Sequence, residues 1–374
     1  MKNYMLPVDG NGVNHALRSF LGRMLSDGIA GAILVPQDAA SGKSVVMSLV
    51  KSGEGLKSVN PFAPVAMVNA ARLVSDLTLK SDPGEKIGVV LRSCESRAFI
   101  ELVKLNQASL ENIIIIGVDC PGTFEPKDYQ TLKSDGRWRL EDWLTASASG
   151  ETDFLGKTVR RACQVCGHIE AEHSSIHLGW VGVDPSQNIL VSATDEFSVW
   201  LTEYLGSPKE QAPDGRKSSM ESIRLGREEK RKIIDEEFST RFGNLESVLN
   251  ELSGCIRCYN CRQACPLCFC RECVFSSDVF RHEADYFLER AGKKGVFAMP
   301  ADKLLFHMTR INHMALGCVG CGQCESACPA GIPLGTIFRI AGEKLQSIFD
   351  YKPGRSVEEP TPLTTYRESE LEPR

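Results

Sequence analysis

This sequence lacks long apolar runs, an excess of positive charge and a nucleotide-binding glycine motif. Apolar runs such as Ile113 to Ile116 have the length of a strand and are far too short to cross a membrane. The formal net charge of −5 excludes the basic stripe expected of a nucleic-acid-binding protein. The N-terminal residues carry no apolar signal segment, and no Gly-x-Gly-x-x-Gly fingerprint is present. We therefore expect a cytoplasmic protein with no transmembrane segment and no nucleic-acid partner.

Cysteine, by contrast, is abundant, with 15 residues in a chain of 374. Without an export signal, these thiols indicate a reducing compartment, where cysteines bind metals rather than form disulfides. Thiolates are soft ligands that favour zinc and iron–sulfur chemistry. The spacing of the cysteines decides between these two kinds of site.

Two copies of one pattern, Cys-x-x-Cys-x-x-Cys-x-x-x-Cys-Pro, begin at Cys255 and at Cys318. This is the bacterial-ferredoxin signature for four-iron clusters, and in two-cluster ferredoxins the fourth cysteine of each copy ligates the other cluster. One copy alone also suits zinc, but two identical copies predict a pair of iron–sulfur clusters. The predicted ligands are Cys255, Cys258, Cys261 and Cys328 for one cluster, and Cys318, Cys321, Cys324 and Cys265 for the other.

Residues 1–205 have the pattern of an α/β domain. The clearest unit consists of a strand over 86–92, an amphipathic helix over 95–105 and a second strand over 112–119. A strand–helix–strand unit of this length predicts a parallel crossover. Two further short strands are predicted, around 180–183 and around 189–191.

The rest of the chain shows no strand alternation and reads as helical. Residues 206–250 contain a polar linker, up to about residue 226, followed by a long charged helix. Residues 251–345 hold both motifs, and the helix-like segments between them favour an α-helical ferredoxin domain. Residues 346–374 predict an extended tail, either solvated or laid on a partner subunit. The predicted fold class is thus an α/β N-terminal domain followed by an α-helical dicluster ferredoxin domain.

Four further cysteines in the α/β region suggest a third metal site. Cys94 follows the first strand of the crossover and Cys120 follows the second, so both stand at the carboxyl edge of a parallel sheet, where ligands gather. Cys163 and Cys166 supply a Cys-x-x-Cys pair. Either the four thiolates complete one site, or Cys94 and Cys120 are buried small residues and the pair is a zinc knuckle.

The segments around these cysteines resemble a known family. IIIIGVDC, which ends at Cys120, and RRACQVCGHIEAEHSSIHLGWVG, which begins at Arg160, are similar to the β-subunits of deazaflavin-reducing hydrogenases and deazaflavin-dependent formate dehydrogenases. CIRCYNCRQACPLCFCREC, from Cys255, resembles the C-terminal extension of the formate dehydrogenase β-subunits. The resemblance implies an α/β flavin and iron–sulfur domain in which one four-iron cluster lies beside an FAD. The cysteines that match its cluster ligands are Cys94, Cys120, Cys163 and Cys166.

On this resemblance the chain is a subunit of an oxidoreductase complex with three four-iron clusters and an FAD. It passes electrons between a hydride carrier, whose identity stays open, and a partner redox subunit. That partner is a formate dehydrogenase or hydrogenase catalytic subunit, or a heterodisulfide-reductase-like flavoprotein. The alternative is an iron–sulfur relay that holds no flavin and only docks its partners.

Four glycines are candidate FAD contacts. Gly10 and Gly12 precede a helix, and helix N-termini bind phosphates. Gly179 and Gly182 flank Trp180. They either let a flavin approach the backbone or are irregularities of a strand.

The two motifs differ in the charge of their neighbours along the chain. Arg257, Arg262 and Arg271 crowd the first motif, whereas the second has Glu325 and no base nearby. Cations favour the reduced form of a cluster, so we expect the cluster held mainly by the first motif to have the higher potential. Three more cysteines follow the first motif and either pack as small hydrophobes or bind a metal with an outside ligand; they are Cys268, Cys270 and Cys273.

Overall fold

The computed structural model describes residues 1–79, 84–280, 283–296 and 301–366. The strands in these residues are β1 (Lys2–Pro7), β2 (Ala32–Asp38), β3 (Val45–Val50), β4 (Ile87–Leu91), β5 (Ile113–Val118), β6 (Asp153–Phe154), β7 (Lys157–Thr158), β8 (Ile176–Gly179) and β9 (Asn188–Ala193). The helices are α1 (Val13–Ser26), α2 (Ala70–Leu79), α3 (Ser93–Lys104), α4 (Pro126–Ser134), α5 (Leu140–Ala148), α6 (Arg161–Gln164), α7 (Ser198–Leu205), α8 (Asp214–Arg241), α9 (Leu245–Ser253), α10 (Asn260–Ala264), α11 (Ala284–Lys294), α12 (Ala301–Met314), α13 (Gln323–Ser326) and α14 (Leu334–Ile348). Across these ranges, no helix is both long and apolar enough to cross a membrane.

The main sheet has the strand order β1-β9-β8-β5-β4-β2-β3 in the described part of the chain. The four central strands, β2, β4, β5 and β8, are parallel, and the outer strands run antiparallel to their neighbours. β4 and β5 are apolar and almost entirely buried, as expected for strands covered on both faces. α3 connects them, and they pair in parallel with Val89 opposite Ile115, which confirms the predicted crossover.

The sequence-based prediction placed one strand too late. β8 ends at Gly179, so residues 180–183 are a turn rather than a strand. The backbone N–H groups of Trp180 and Val181 donate to the carboxylate of Asp119, at 2.9 and 3.0 Å. A side chain therefore takes the hydrogen bonds that a neighbouring strand would have taken.

The predicted linker is also partly wrong, because α8 begins at Asp214 inside it. Burial of Arg216, Ile223 and Arg227 against the α/β domain gives this polar segment a reason to be helical. The predicted long helix is two helices, since α8 ends at Arg241 and α9 begins only at Leu245. Asn244 caps α9 by accepting a hydrogen bond from the Ser247 backbone at 2.9 Å.

Two apolar cores lie on opposite faces of the sheet. One is built with α1, α4, α5 and α7 and contains large buried aromatics, such as Phe20 and Trp143. The other begins with α2 and α3 and continues without a break into the helical region, through Leu252, Phe275 and Phe306. The mixed α/β and helical regions predicted from the sequence are therefore present, and their shared core packs the helices directly on the sheet.

The first part of the predicted tail folds back on its own chain. The hydroxyl of Tyr351 lies 2.6 and 2.7 Å from the two carboxylate oxygens of Glu101 on α3, and the backbone N–H of Gly354 donates to Glu101 at 2.8 Å. Lys104 donates to the Tyr351 hydroxyl at 2.6 Å. This part of the predicted tail is therefore packed rather than solvated, and its contact with a partner subunit stays a prediction. The last part of the predicted tail, residues 367–374, lies outside the described residues.

Candidate iron–sulfur centres

The structure gathers 12 of the cysteines into three sets of four, whose members lie close enough to influence one another electrostatically. The domain-one set is Cys94, Cys120, Cys163 and Cys166. The middle set is Cys265, Cys318, Cys321 and Cys324. The outer set is Cys255, Cys258, Cys261 and Cys328.

The domain-one set sits at the carboxyl edge of the parallel strands. Cys94 lies in the first turn of α3, directly after β4, and Cys120 follows β5. Burial raises the pKa of Cys94 well above its usual range, and the charges of Glu95, Cys321, Cys120 and Cys166 raise it further. Burial likewise raises the pKa of Cys120 to about 11, against the opposing charge of Arg92. The thiols predicted to share one site are thus brought together.

Cys163 differs from the other members of the domain-one set. Burial alone would raise its pKa, but the Arg160 guanidinium and hydrogen bonds from Thr123 outweigh burial and lower it. The backbone N–H of Thr123 lies 3.4 Å from the Cys163 sulfur, and Nη2 of Arg160 lies 3.8 Å from it. The site therefore favours a thiolate at Cys163, the form that binds metals.

The two ferredoxin motifs share one backbone conformation. In the first, Arg257 and Tyr259 are left-handed, with φ of 59° and 57°. In the second, the equivalent positions are Gly320 and Gly322, with φ of 68° and 71°. Each loop therefore turns twice in the same way between its first three cysteines, as required to wrap three corners of a similar cluster.

The four cysteines of the outer set line one small cavity, together with Tyr259, Phe306 and His307. Burial raises the pKa of Cys261 to about 11, although the positive charge of Arg310 lowers it. The charges of Cys255, Cys328 and Cys258 raise it further. Cys328, the fourth cysteine of the second motif, is thus placed among the first three of the first motif. This is the exchange predicted from the spacing.

The middle set repeats the exchange in the opposite direction. Burial raises the pKa of Cys318 to about 12, and Cys321 and Cys265 are the thiols that act on it. Burial also raises the pKa of Cys324 well above its usual range, with the largest contributions from other thiols coming from Cys265 and Cys321. Cys265, the fourth cysteine of the first motif, therefore lies with the second motif.

The middle set is also the one that meets the α/β domain. A Cβ atom built on Gly322 would lie 2.4 Å from the Cβ atom of Ala162 in α6, so the loop and helix touch at that point. Arg97 of α3 donates to the Val319 carbonyl at 2.9 Å. Because α6 also carries Cys163, this contact places the middle set next to the domain-one set, and the exchange of Cys265 and Cys328 places the outer set next to the middle set.

The expectation that no base lies near the second motif is wrong. Arg160 acts on Cys321 and Arg310 acts on Cys324, although both arginines lie outside that motif in the sequence. At the first motif, Arg257 lies 3.0 Å from Asp302, which offsets its charge. The premise behind the predicted order of potentials therefore fails, and the order itself stays a prediction.

The three cysteines that follow the first motif have different surroundings. Cys268 and Cys273 are partly buried and pack against the apolar core, as one of the two interpretations expects. Cys270 is exposed.

A charged network missed by the sequence analysis lies beside Cys120. Asp119 is fully buried and accepts hydrogen bonds from His177 at 2.8 Å and from both terminal nitrogens of Arg216 at 2.8 and 2.9 Å. Arg216 also binds Glu170 at 2.9 Å. Asp119, Glu170 and His177 converge as metal ligands would, but the two Asp119 oxygens are already occupied by these donors and by the Trp180 turn. The network is therefore an ion-paired clasp that holds α8 on the edge of the sheet.

The four candidate glycines do not form an open cradle. Side chains added to Gly179 and Gly182 would collide with Arg216, at 2.8 Å from its guanidinium and 2.2 Å from its backbone. Gly12 caps α1 with φ of 87°, and its added Cβ would lie 3.0 Å from the Glu141 carboxylate, which disfavours a phosphate there. Gly10 has open space around it. The glycines at 179 and 182 thus make room for α8, and their contact with a flavin stays a prediction.

Two buried polar atoms lack partners at the carboxyl end of β2, among the residues that the structure describes. They are Oδ1 of Asn60 and the hydroxyl of Tyr129. The side-chain amide nitrogen of Asn60, Nδ2, donates to the carboxylate of Asp38 at 3.0 Å. Burial raises the pKa of Tyr129, with Asp38 and Arg92 as the neighbouring charges. Buried polar groups are rarely left unpaired, so these two atoms stand out among the described residues.

Comparison with known proteins identifies the kind of domain that the middle and outer sets resemble. Residues 251–332 match the family described as a 4Fe-4S dicluster domain. This part of the chain is similar to an iron–sulfur domain. The match spans both ferredoxin motifs and therefore all the members of the middle and outer sets.

Two relatives that match most of the chain are formate dehydrogenase subunits. The chain is 26% identical to the F420-dependent formate dehydrogenase subunit beta of Methanocaldococcus jannaschii, over 92% of each chain. It is 27% identical to the F420-dependent formate dehydrogenase 1 subunit beta of Methanococcus maripaludis, over 91% of this chain and 90% of the relative. These relatives confirm the resemblance read from the sequence and the prediction of an oxidoreductase subunit.

Among solved structures, a chain of the F420-reducing [NiFe] hydrogenase complex from Methanosarcina barkeri aligns with a TM-score of 0.46 and 11% identity. The alignment covers 66% of this chain and 94% of that one.

Proposed function

We propose that this chain is the electron-transfer subunit of a formate dehydrogenase or hydrogenase complex, in which three four-iron clusters conduct electrons in series. One observation carries the proposal: the three cysteine sets follow one another, with Gly322 of the second motif in contact with Ala162 of α6, the helix that carries Cys163. Thiolates in sets of four are the donor set that cubane clusters require. The exchange of Cys265 and Cys328 supports the assignment of one cluster to each ferredoxin set.

Metal content tests this assignment directly. Three cubanes correspond to about twelve irons and as many sulfides per chain. The complex is purified without oxygen, and iron, sulfide and zinc are measured on the same sample. About eight irons with one zinc would instead make the domain-one set a structural zinc site, and zinc throughout would overturn the proposal.

We further propose that an FAD occupies the α/β domain and exchanges hydride with a carrier. A hydride brings two electrons and a four-iron cluster accepts one, so a flavin between them is the natural converter. The unpartnered atoms of Asn60 and Tyr129 support a site at the end of β2 rather than at the four glycines. These two side chains would hydrogen-bond the polar groups of the flavin and orient it, and Arg92, buried beside them, would favour negative charge there.

Acid precipitation of the freshly purified complex tests for the flavin, because released FAD fluoresces. We expect about one FAD per chain, and a lower content in Tyr129→Phe, which removes only the unpartnered hydroxyl. Tyr204→Phe, on α7, serves as the matched control with unchanged FAD. If the wild-type complex contains no FAD, the second candidate, a relay without flavin, is favoured. Arg216 fills the space beside Gly179 and Gly182, and this supports the second candidate.

The outer set marks the end of the chain that faces a partner. Its Cys258 is exposed, as is the neighbouring Ile256, so a cluster there is the one nearest to the surface. We propose a catalytic subunit of the formate dehydrogenase or hydrogenase type as the partner, with a heterodisulfide-reductase-like flavoprotein as the other candidate, in the cytoplasm. Because the named relatives are F420-dependent, we propose a deazaflavin as the hydride carrier. Comparing the reduction of F420 and of NAD by the complete complex tests this choice.

A further inference from the structure

Arg310, on α12, is a buried cation with few hydrogen-bond partners. Its side chain is 4% exposed, and its guanidinium lies 4.7 Å from the ring centroid of Phe338. Nη2 donates to the carbonyl of Cys261 at 3.1 Å, whereas Nε and Nη1 have no hydrogen-bond partner among the described residues. Within the same residues, no carboxylate forms an ion pair with it. Since a buried charge is costly unless it is compensated, this arginine requires an anion.

The groups on which Arg310 acts identify that anion. They are Cys261 of the outer set, Cys265 and Cys324 of the middle set, and Cys268, which belongs to none of the three sets. Arg310 therefore lies within electrostatic reach of both ferredoxin sets at once. A four-iron cluster with its four thiolates is anionic, so two such clusters supply the negative charge that the site otherwise lacks.

Arg160 occupies the equivalent position at the preceding step of the series. It is 5% exposed, and the charges that act on it are Cys163 and Cys94 of the domain-one set, Cys321 of the middle set and the carboxylate of Glu125. Nε donates to Thr123 at 2.7 Å, and Nη1 lies 3.4 Å from the hydroxyl of Ser326 in the second motif. One buried arginine thus accompanies each pair of neighbouring cysteine sets.

We propose that Arg160 and Arg310 are the shared counterions of the series, each raising the reduction potential of the two clusters that it adjoins. The inference rests on the proposed function, since it requires clusters at the three sets. A reduced cluster carries one more negative charge than an oxidised one, so a fixed cation nearby favours reduction. An electron that moves between two clusters beside the same arginine stays near its charge, which keeps the two potentials close.

The test is a redox titration of the purified holo-complex, monitored by EPR, for Arg310→Gln, Arg310→Lys and the matched control Arg257→Gln. We expect Arg310→Gln to shift the reduction equilibrium of the middle and outer clusters about tenfold toward the oxidised form. For a one-electron couple, this corresponds to a fall of 59 mV. Arg310→Lys keeps the positive charge, so the middle and outer clusters should retain most of their wild-type potentials. Arg257→Gln shifts neither cluster comparably, because Asp302 already offsets its charge.

Arg160→Gln provides the second arm, with a different pattern. It lowers the potentials of the domain-one and middle clusters and spares the outer cluster, whereas Arg310→Gln spares the domain-one cluster. Unchanged potentials in both glutamine variants at full iron content would overturn the inference.

Iron content separates the remaining outcomes. If Arg310→Gln loses iron while Arg310→Lys retains it, the charge is needed to assemble the clusters, and the inference stands. If the lysine variant loses iron as well, Arg310 is needed for the shape of its side chain rather than for its charge, and the inference fails. Wild-type complex without iron would instead mean that the proposed function itself is wrong.

Discussion

The ion-paired clasp between the sheet and α8 allows the sharpest prediction about stability. Asp119→Asn keeps the shape of the side chain and removes its charge. Both Asp119 oxygens accept from Arg216, one accepts from His177, and the other accepts from the backbone N–H groups of the turn after β8. An amide replaces one of these acceptors with a donor, so the Arg216 guanidinium loses its buried counter-charge.

The magnitude follows from the burial of this pair. Asp119 has 0% exposed side-chain surface and Arg216 has 8%. Removing one partner of a buried ion pair costs about 3–5 kcal/mol. We take the lower end, about 3 kcal/mol, because the remaining oxygen of asparagine still accepts. Glu170 is the matched control, since its side chain is 55% exposed and an exposed pair contributes about 1 kcal/mol at most.

Hydrogen exchange under native conditions measures this loss without global unfolding. A cost of about 3 kcal/mol raises the opening equilibrium more than about a hundredfold, since 1.36 kcal/mol is a factor of ten. Peptides that cover residues 214–223 should therefore exchange faster by that factor in Asp119→Asn, and by less than about tenfold in Glu170→Gln. Equal protection of α8 in Asp119→Asn and the wild type would refute the reasoning.

The same carboxylate determines a pH dependence. Burial alone would raise the pKa of Asp119, but hydrogen bonds and charges from Arg216 and His177 outweigh burial and hold it well below its usual range. A group whose pKa is depressed by folding stabilises the protein above its unfolded pKa, about 3.9 for Asp, and loses that contribution as the pH falls through the folded value. The difference in melting temperature between the wild type and Asp119→Asn should thus be constant from about pH 5 to pH 8 and shrink below about pH 4. A constant difference down to the lowest pH would count against this assignment.

Three further predictions concern the clusters, their docking and the tail. Cys321→Ala should lose about four irons per chain in an iron assay, whereas Cys268→Ala, outside the three sets, should lose none. Gly322→Ala should melt several degrees below Gly331→Ala: both glycines are left-handed, but only at Gly322 does an added methyl meet α6, at 2.4 Å. Tyr351→Phe should release the tail to proteases at full iron content, because it removes a hydrogen bond worth about 1.5–3 kcal/mol to a buried carboxylate on α3. Equal melting of the two glycine variants, or an intact tail in the last variant, would contradict these expectations.

Local spacing was sufficient to predict much of this protein. The two motifs identify eight of the cysteines and even the exchange of Cys265 and Cys328, because a cubane accepts only thiolates that a short loop can bring to its corners. The β4–α3–β5 crossover was equally predictable, since its periodicity lies within one continuous segment. Cys94 and Cys120 could be placed together for the same reason.

Other features depend on contacts between segments that lie far apart in the chain. Asp119 and Arg216 are separated by 97 positions, and nothing near either residue signals the other. The second motif has no base in its own sequence, yet folding brings Arg160 and Arg310 to its cysteines. Spacing along the chain by itself predicted which thiols the structure brings together. Only tertiary packing decided which charges surround each set, because burial and electrostatic contact depend on distance in space rather than along the chain.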